Sequence, residues 1–175
     1  MKSKSIETER LRLYPFTLDD VDRLHQLFID PGVRKYLWDD EVISKEIAKE
    51  IIEKSVAMSE EDGKGLWSVL TRESDELIGF CGFWFFHEPP QLEILYGIAP
   101  SHWGQGIATE AAKAMMSYGF EELRFDCIIA STDAPNLASV RVMQRIGMTF
   151  QKRELTNGLD TIYYMMSREN FVKTV

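Results

Sequence analysis

The stretch of this chain richest in chemistry runs Glu93-Ile-Leu-Tyr-Gly-Ile-Ala-Pro-Ser-His-Trp-Gly-Gln-Gly-Ile-Ala-Thr-Glu110, where a strand-like run enters a Gly-containing turn that opens directly onto a helical pattern. That order suits an anion. The first N–H groups of a helix have no acceptor within it and point outward, and glycines at 104 and 106 let a phosphate approach the main chain without meeting a Cβ. A turn of this kind can hold a pyrophosphate. By itself Gly-x-Gly is shared by many ordinary turns, and the segment is neither the six-residue dinucleotide fingerprint nor a P-loop, since no Gly-Lys-Ser/Thr follows.

Other reactive side chains are dispersed. His25, His87 and His102 have no partner at metal-ligand spacing, so they read as loop or surface histidines and no metal is expected. Cys81 and Cys127 lie inside apolar stretches without the paired spacing of a zinc site or a disulfide framework, and are expected as buried free thiols. Trp38, Trp67, Trp84 and Phe85 could shape a pocket for a second substrate, although aromatic residues in regular elements usually pack in cores. Asp39, Asp40 and Glu41 form a small acidic cluster that would either recognise an ammonium group or sit as a solvated turn.

The elements that must position these residues can be read from periodicity. Leu11 and Leu13 alternate with Arg10, Arg12 and Tyr14 in a half-buried strand over 8–16. Thr17 with Asp19 and Asp20 predicts a helix start; that helix keeps Val21, Leu24, Leu27 and Phe28 on one face and stops near Pro31-Gly32. A second amphipathic helix from about Ser44 buries Ile47, Ile51, Ile52 and Val56. Strands over 65–71 and 76–86, joined by a polar turn, and a third over 91–99 after Pro89-Pro90, form an antiparallel meander. A helix from Ile107 to about Leu123 leads to the apolar run 125–130, which suggests a parallel crossover. A loop over 133–136, a short helix over 137–146 ended by Gly147, and a hairpin turning at Asn157-Gly158 complete the chain, with the last strand over 161–166. The sum is a mixed α/β, mostly antiparallel central sheet of about six to seven strands with helices on both faces.

A chain of 175 residues with 45% hydrophobic residues fits a single domain over 1–175. The charged opening has no apolar leader and no run approaches the roughly 18 apolar residues of a membrane span, so a soluble cytoplasmic protein without membrane attachment is expected. A net charge of −8 argues against nucleic acid as a partner and favours cationic partners such as amines.

Four blocks in order, TERLRLYPFTLDDVDRLHQLF, LIGFCGF, EILYGIAPSHWGQGIATEA and NLASVRVMQRIGM, resemble the GCN5-related N-acetyltransferase (GNAT) family, in the branch of the RimJ and RimL ribosomal-protein acetyltransferases. The resemblance covers nearly the whole chain. It implies acetyl-CoA as co-substrate, a sheet splayed at the acetyl-CoA site, and acetyl transfer to a primary amine by direct attack in a ternary complex. It also implies that Gly97, Ile98 and Ala99 pair with the pantetheine arm and that Trp103, Gly104, Gln105, Gly106, Ile107 and Ala108 wrap the diphosphate. Asn136 would reach the cofactor from the following helix. Glu93 matches a catalytic Glu of some relatives, a general base acting directly or through water, against the alternative of a Glu on an exposed strand face. Ser139 matches a serine proposed to assist the leaving sulfur, against that of a first-turn helix residue bonded to backbone. An N–H near Ile98 would meet the oxyanion.

Two positions depart from the family pattern. Ser101 stands where a Gln or Arg commonly begins the phosphate loop, and Met143 stands where many relatives carry a Tyr that protonates the thiolate. The acceptor amine stays open among peptide or protein N-termini, polyamines, amino acids and aminoglycosides, as does a non-catalytic acyl-CoA-binding module. A homodimer is an expectation by resemblance.

Overall fold

The computed structural model describes residues 4–174; the first three residues of the charged opening and Val175 lie outside the described residues. Eight strands form one sheet in the order β1-β2-β3-β4-β5-β6-β8-β7. They are β1 (Ile6–Glu7), β2 (Leu11–Pro15), β3 (Gly65–Thr71), β4 (Leu77–Phe86), β5 (Gln91–Ile98), β6 (Cys127–Asp133), β7 (Thr149–Thr156) and β8 (Leu159–Ser167). The helices are α1 (Val21–Phe28), α2 (Pro31–Leu37), α3 (Lys45–Asp62), α4 (Ile107–Ser117), α5 (Leu137–Arg145) and α6 (Arg168–Thr174). The two-residue edge strand β1 and the terminal helix α6 are too short for periodicity to announce them.

Each face of the sheet has its own apolar cluster. On one, Leu11, Val69, Ile94 and Ile128 meet Ile107, Ala111 and Met115 of α4 and Met143 of α5. On the other, Leu66 and Phe80 meet Leu24 and Phe28 of α1 and Ala48 and Ile52 of α3. All neighbouring strand pairs are antiparallel except β5 and β6, whose connection through α4 makes them parallel. None of the described helices is long and apolar enough to cross a membrane.

Several expectations are corrected. Pro31-Gly32 opens a helix: Asp30 caps α2 by accepting from the Gly32 N–H at 2.8 Å, and proline is tolerated in a first turn whose N–H groups lack partners anyway. The buried stripe of α3 is Ala48, Ile52, Ser55 and Met58, and Ile47 is exposed. Ser55 can face the sheet because its hydroxyl accepts from the Leu66 N–H at 2.7 Å and donates to the Leu66 carbonyl at 3.2 Å. Strand β6 starts two residues later than Phe125, and the alternation that turns Ile128 and Ala130 inward leaves Cys127 exposed. Cys81 is fully buried, and burial pushes its thiol far above the usual range. The helix expected to reach Leu123 is α-helical to Ser117 and continues as a wider π-helical turn over Tyr118–Glu122.

Candidate active site

Strand β5 ends in a short 3₁₀ turn, Pro100–His102, and the chain reaches α4 through Trp103, Gly104, Gln105 and Gly106. Gly104 and Gly106 have φ of +72° and +75°, the left-handed region that side chains with a Cβ avoid. A Cβ built on Gly104 would meet nothing within 4 Å, so a group can come close to the main chain there. The first α4 bond returns from Glu110 N–H to the Gly106 carbonyl at 3.0 Å, and the amides ahead of it have no acceptor of that kind within the helix. Such a cradle fits a diphosphate.

The cradle is braced from the turn between β1 and β2. Arg10 Nη1 donates to the Gln105 carbonyl at 2.7 Å, turning that oxygen back toward the sheet. Glu110 accepts from Arg10 Nε at 2.7 Å, from the Arg10 N–H at 2.9 Å and from Thr8 Oγ1 at 2.6 Å. Desolvation alone would raise the Glu110 carboxyl, but those hydrogen bonds and the guanidinium charge outweigh it and hold it below its ordinary value. Sequence spacing has no access to this bracket, whose halves lie 100 residues apart.

Beside the cradle the sheet parts. The register pairs β5 with β6 at Glu93↔Ile129 and, among the described residues, nowhere else. The Ala99 N–H donates to the Ile78 carbonyl at 2.7 Å, so by strand alternation Ile98, not Ala99, turns its main chain toward β6. The Ile98 carbonyl accepts from Trp103 Nε1 at 2.7 Å. Gly97 pairs with Phe80 of β4, and its Cα lies so close to the Phe80 ring that an added Cβ would come to 2.4 Å.

Glu93 is not on an exposed face. It is 2% exposed and sits at the throat of the parting, accepting from Ser131 Oγ of β6 at 2.5 Å and from Gln91 Nε2 at 3.0 Å, with His87 Nε2 hydrogen-bonded to its Oε2 at 2.6 Å. His87, expected as a loop or surface histidine, lies half-buried in the β4–β5 turn with φ of +69°. Two residues beyond Ser131 on the same face, Asp133 has its carboxyl raised by burial and then by the charge of Asp39. Asp39 belongs to the acidic cluster after α2, in which Asp40 pairs with Arg34 at 3.0 Å. Trp67 is a core residue, Trp38 packs its edge on Phe28, Trp84 is partly buried, and Phe85 is exposed.

On the opposite face Tyr96 approaches the start of α5. Its hydroxyl lies 3.0 Å from both the carbonyl and Oγ of Ser139. The single phenolic proton satisfies the carbonyl, which can only accept, so the Ser139 hydroxyl donates to Tyr96. Burial raises the Tyr96 phenol well above its ordinary range, more than the Ser139 bond lowers it. Asn136 caps α5, accepting from the Ser139 N–H at 3.4 Å, and donates to Thr132 Oγ1 at 3.0 Å. Met143 is buried in the core.

A profile of the Acetyltransferase (GNAT) domain matches residues 10–149. The chain belongs to the GNAT acetyltransferase family. It is 33% identical over 153 residues to the uncharacterized N-acetyltransferase p20 of Bacillus licheniformis, covering 87% of this chain and 85% of that one. A GNAT acetyltransferase structure from Bacillus anthracis superposes with a TM-score of 0.79 at 27% identity, over 95% of this chain and 99% of the other. RimL, a ribosomal L7/L12 alpha-N-protein acetyltransferase solved with coenzyme A, shares the fold with a TM-score of 0.79 at 20% identity, over 94% of this chain and 98% of its own. This GNAT enzyme is an acetyl-CoA-dependent N-acetyltransferase. Among its described residues no three His, Cys, Asp or Glu side chains gather to hold a metal ion.

Proposed function

We propose that acetyl-CoA lies along the parted edges of β5 and β6, and that its acetyl group passes directly to the primary amine of a peptide or protein N-terminus. The observation that carries this is the single β5–β6 pair at Glu93, which leaves the β6-facing main chain of β5 open to an extended ligand just ahead of the glycine turn. The amides of Trp103 to Ala108 take the diphosphate, with Gly104 and Gly106 admitting it. Ile98, flanked by Gly97 and Ala99, offers the main-chain groups nearest the pantetheine arm, and Asn136 stands where α5 begins. The Ile98 N–H is the donor for the thioester oxygen as it gains charge.

An ammonium must lose a proton before its nitrogen can attack, and the buried carboxylate of Glu93, acting directly or through an intermediary, is the base at the parting. Ser139 supplies a hydroxyl to the departing sulfur. The resemblance of the four sequence blocks to the RimJ and RimL branch favours an N-terminal amine. A polyamine is the second reading, favoured by the mutual field of Asp39 and Asp133 on the Glu93 face. Thiol release from acetyl-CoA, measured with a panel of N-terminal peptides, spermidine and other small amines, tests the assignment. Turnover of peptides upholds it and turnover of spermidine alone replaces it with the second reading. Coenzyme A binding without release from any amine makes the protein an acyl-CoA-binding module.

A further inference from the structure

Glu93 is poorly placed to touch an arriving amine itself. Its carboxylate is 2% exposed, and both oxygens are engaged, one with Ser131 and the other with Gln91 and His87. Of those partners His87 is the one that can pass a proton onward, and 22% of its side chain meets solvent. Its Nε2 stands 2.6 Å from Glu93 Oε2. An ionised carboxylate only accepts, so this nitrogen carries the hydrogen, and the tautomer that results leaves the Nδ1 lone pair as the basic site. Nδ1 has no hydrogen-bond partner among the described residues. The backbone at His87 has φ +69°, in the left-handed region that histidine enters more readily than most non-glycine residues. Tyr163 of β8 and Phe86 wall the imidazole, with ring centroids at 5.6 and 6.2 Å.

We propose that His87 is the catalytic base that meets the acceptor ammonium, and that Glu93 acts behind it as a positioning carboxylate that fixes its tautomer and balances its charge. This rests on the acetyltransferase reading of the same parting, and it moves the role of first proton acceptor from Glu93 to its neighbour. One proton of the R-NH3+ group passes to Nδ1, giving a neutral amine and an imidazolium paired with Glu93. The freed lone pair attacks the thioester carbon, forming the N–C bond. Collapse breaks the C–S bond, and the second proton lost by the nitrogen ends on sulfur by way of Ser139. His87 returns its proton to water, so the sum is amide, free coenzyme A thiol and one released proton. The charged and titratable groups around the ring are Glu93 from β5 and Tyr163 from β8, with Lys152 Nζ of β7 4.7 Å from the centroid of the Tyr163 ring.

Two measurements on the full-length protein decide it. Long-range proton–nitrogen NMR of the imidazoles, with His87 assigned by loss of its signals in His87→Asn, is expected to show the Nε2–H tautomer at neutral pH and a mixture of tautomers in Glu93→Gln. This needs no acceptor. An Nδ1–H tautomer in the wild-type protein overturns the proposal. With whichever amine, spermidine or peptide, releases thiol from the wild type, His87→Gly is expected to lose kcat by about 100-fold or more. Added imidazole should restore part of it, while acetyl-CoA affinity by calorimetry stays within about twofold of the wild type. Glycine suits the positive φ and Asn tolerates it, so both variants keep the turn. Undiminished kcat in His87→Gly, or a loss that imidazole does not restore, overturns the proposal. Failure of the acetyltransferase reading looks different: the wild type itself would release no thiol with any amine, while the tautomer measurement would still be readable.

Discussion

Replacing Gly104 with alanine separates the cost of a backbone conformation from the loss of a ligand. Gly104 sits at φ +72° with open space where the methyl would go. In the free protein the substitution therefore carries only the left-handed penalty for a residue with a Cβ, about 1–2 kcal/mol. For a chain of this length that lowers Tm by about 2–8 °C. Gly158, in the β7–β8 turn, is its matched control, with φ +78° and again nothing within 4 Å of an added Cβ. The two variants should melt alike. They should part on coenzyme A, because at 104 the methyl stands over amides assigned to the diphosphate. Losing one charge-assisted hydrogen bond costs about 1.5–3 kcal/mol, or about 10- to 150-fold in Kd. Thermal unfolding by circular dichroism and calorimetric titration with coenzyme A measure both quantities. Equal affinity in Gly104→Ala and Gly158→Ala would refute the cradle, however well the fold tolerated both changes.

Three other outcomes follow from the same geometry. Glu93→Gln should lower kcat by about 100- to 10,000-fold with coenzyme A affinity intact, and turnover that is unchanged at every pH removes Glu93 from the chemistry. Ser139→Ala should cost at least about tenfold in kcat and Tyr96→Phe less, since the phenol is hydrogen-bonded to the Ser139 hydroxyl and the serine is the group assigned to the sulfur. A larger loss in Tyr96→Phe than in Ser139→Ala would reassign the acid to the phenol. Glu110, whose carboxyl is held below its ordinary 4.5, contributes stability that is present above that value and lost as pH falls through the lowered one. Melting followed across the acid range should accordingly show a shallower acid limb in Glu110→Gln, and identical limbs would contradict the Arg10–Glu110 bracket.

What could be seen in advance was local. The glycine turn, the Asn157-Gly158 hairpin and the meander over 65–98 announce themselves because a positive φ or an alternating strand is dictated by residues close in sequence. The buried cluster of Glu93 was legible only in part. Its His87 lies six residues away across a turn, but Ser131 arrives from β6 through a parallel crossover whose register no spacing reveals. Arg10 and Glu110 were hidden for the same reason. Pro31 failed in another way, since proline both ends helices and opens them, and only the Asp30 cap distinguishes the two. The α3 stripe was misjudged because Ala48 and Ser55 signal burial weakly, and a serine goes inside only when a backbone partner such as Leu66 is waiting.

Five strands stand on one side of the Glu93↔Ile129 pair and three on the other, so the sheet is stitched across its middle at a single backbone point reinforced by the Ser131 hydroxyl. A molecule threaded between the halves would serve as both reactant and mortar. Opening and closing of that seam should then track occupancy, with amide exchange in β5 and β6 slowing when coenzyme A is bound while the outer strands barely change. On the proposed reading catalysis is done at the joint of the protein's own framework, and Glu93, the side chain that holds the joint together, is the one beside which the proton moves.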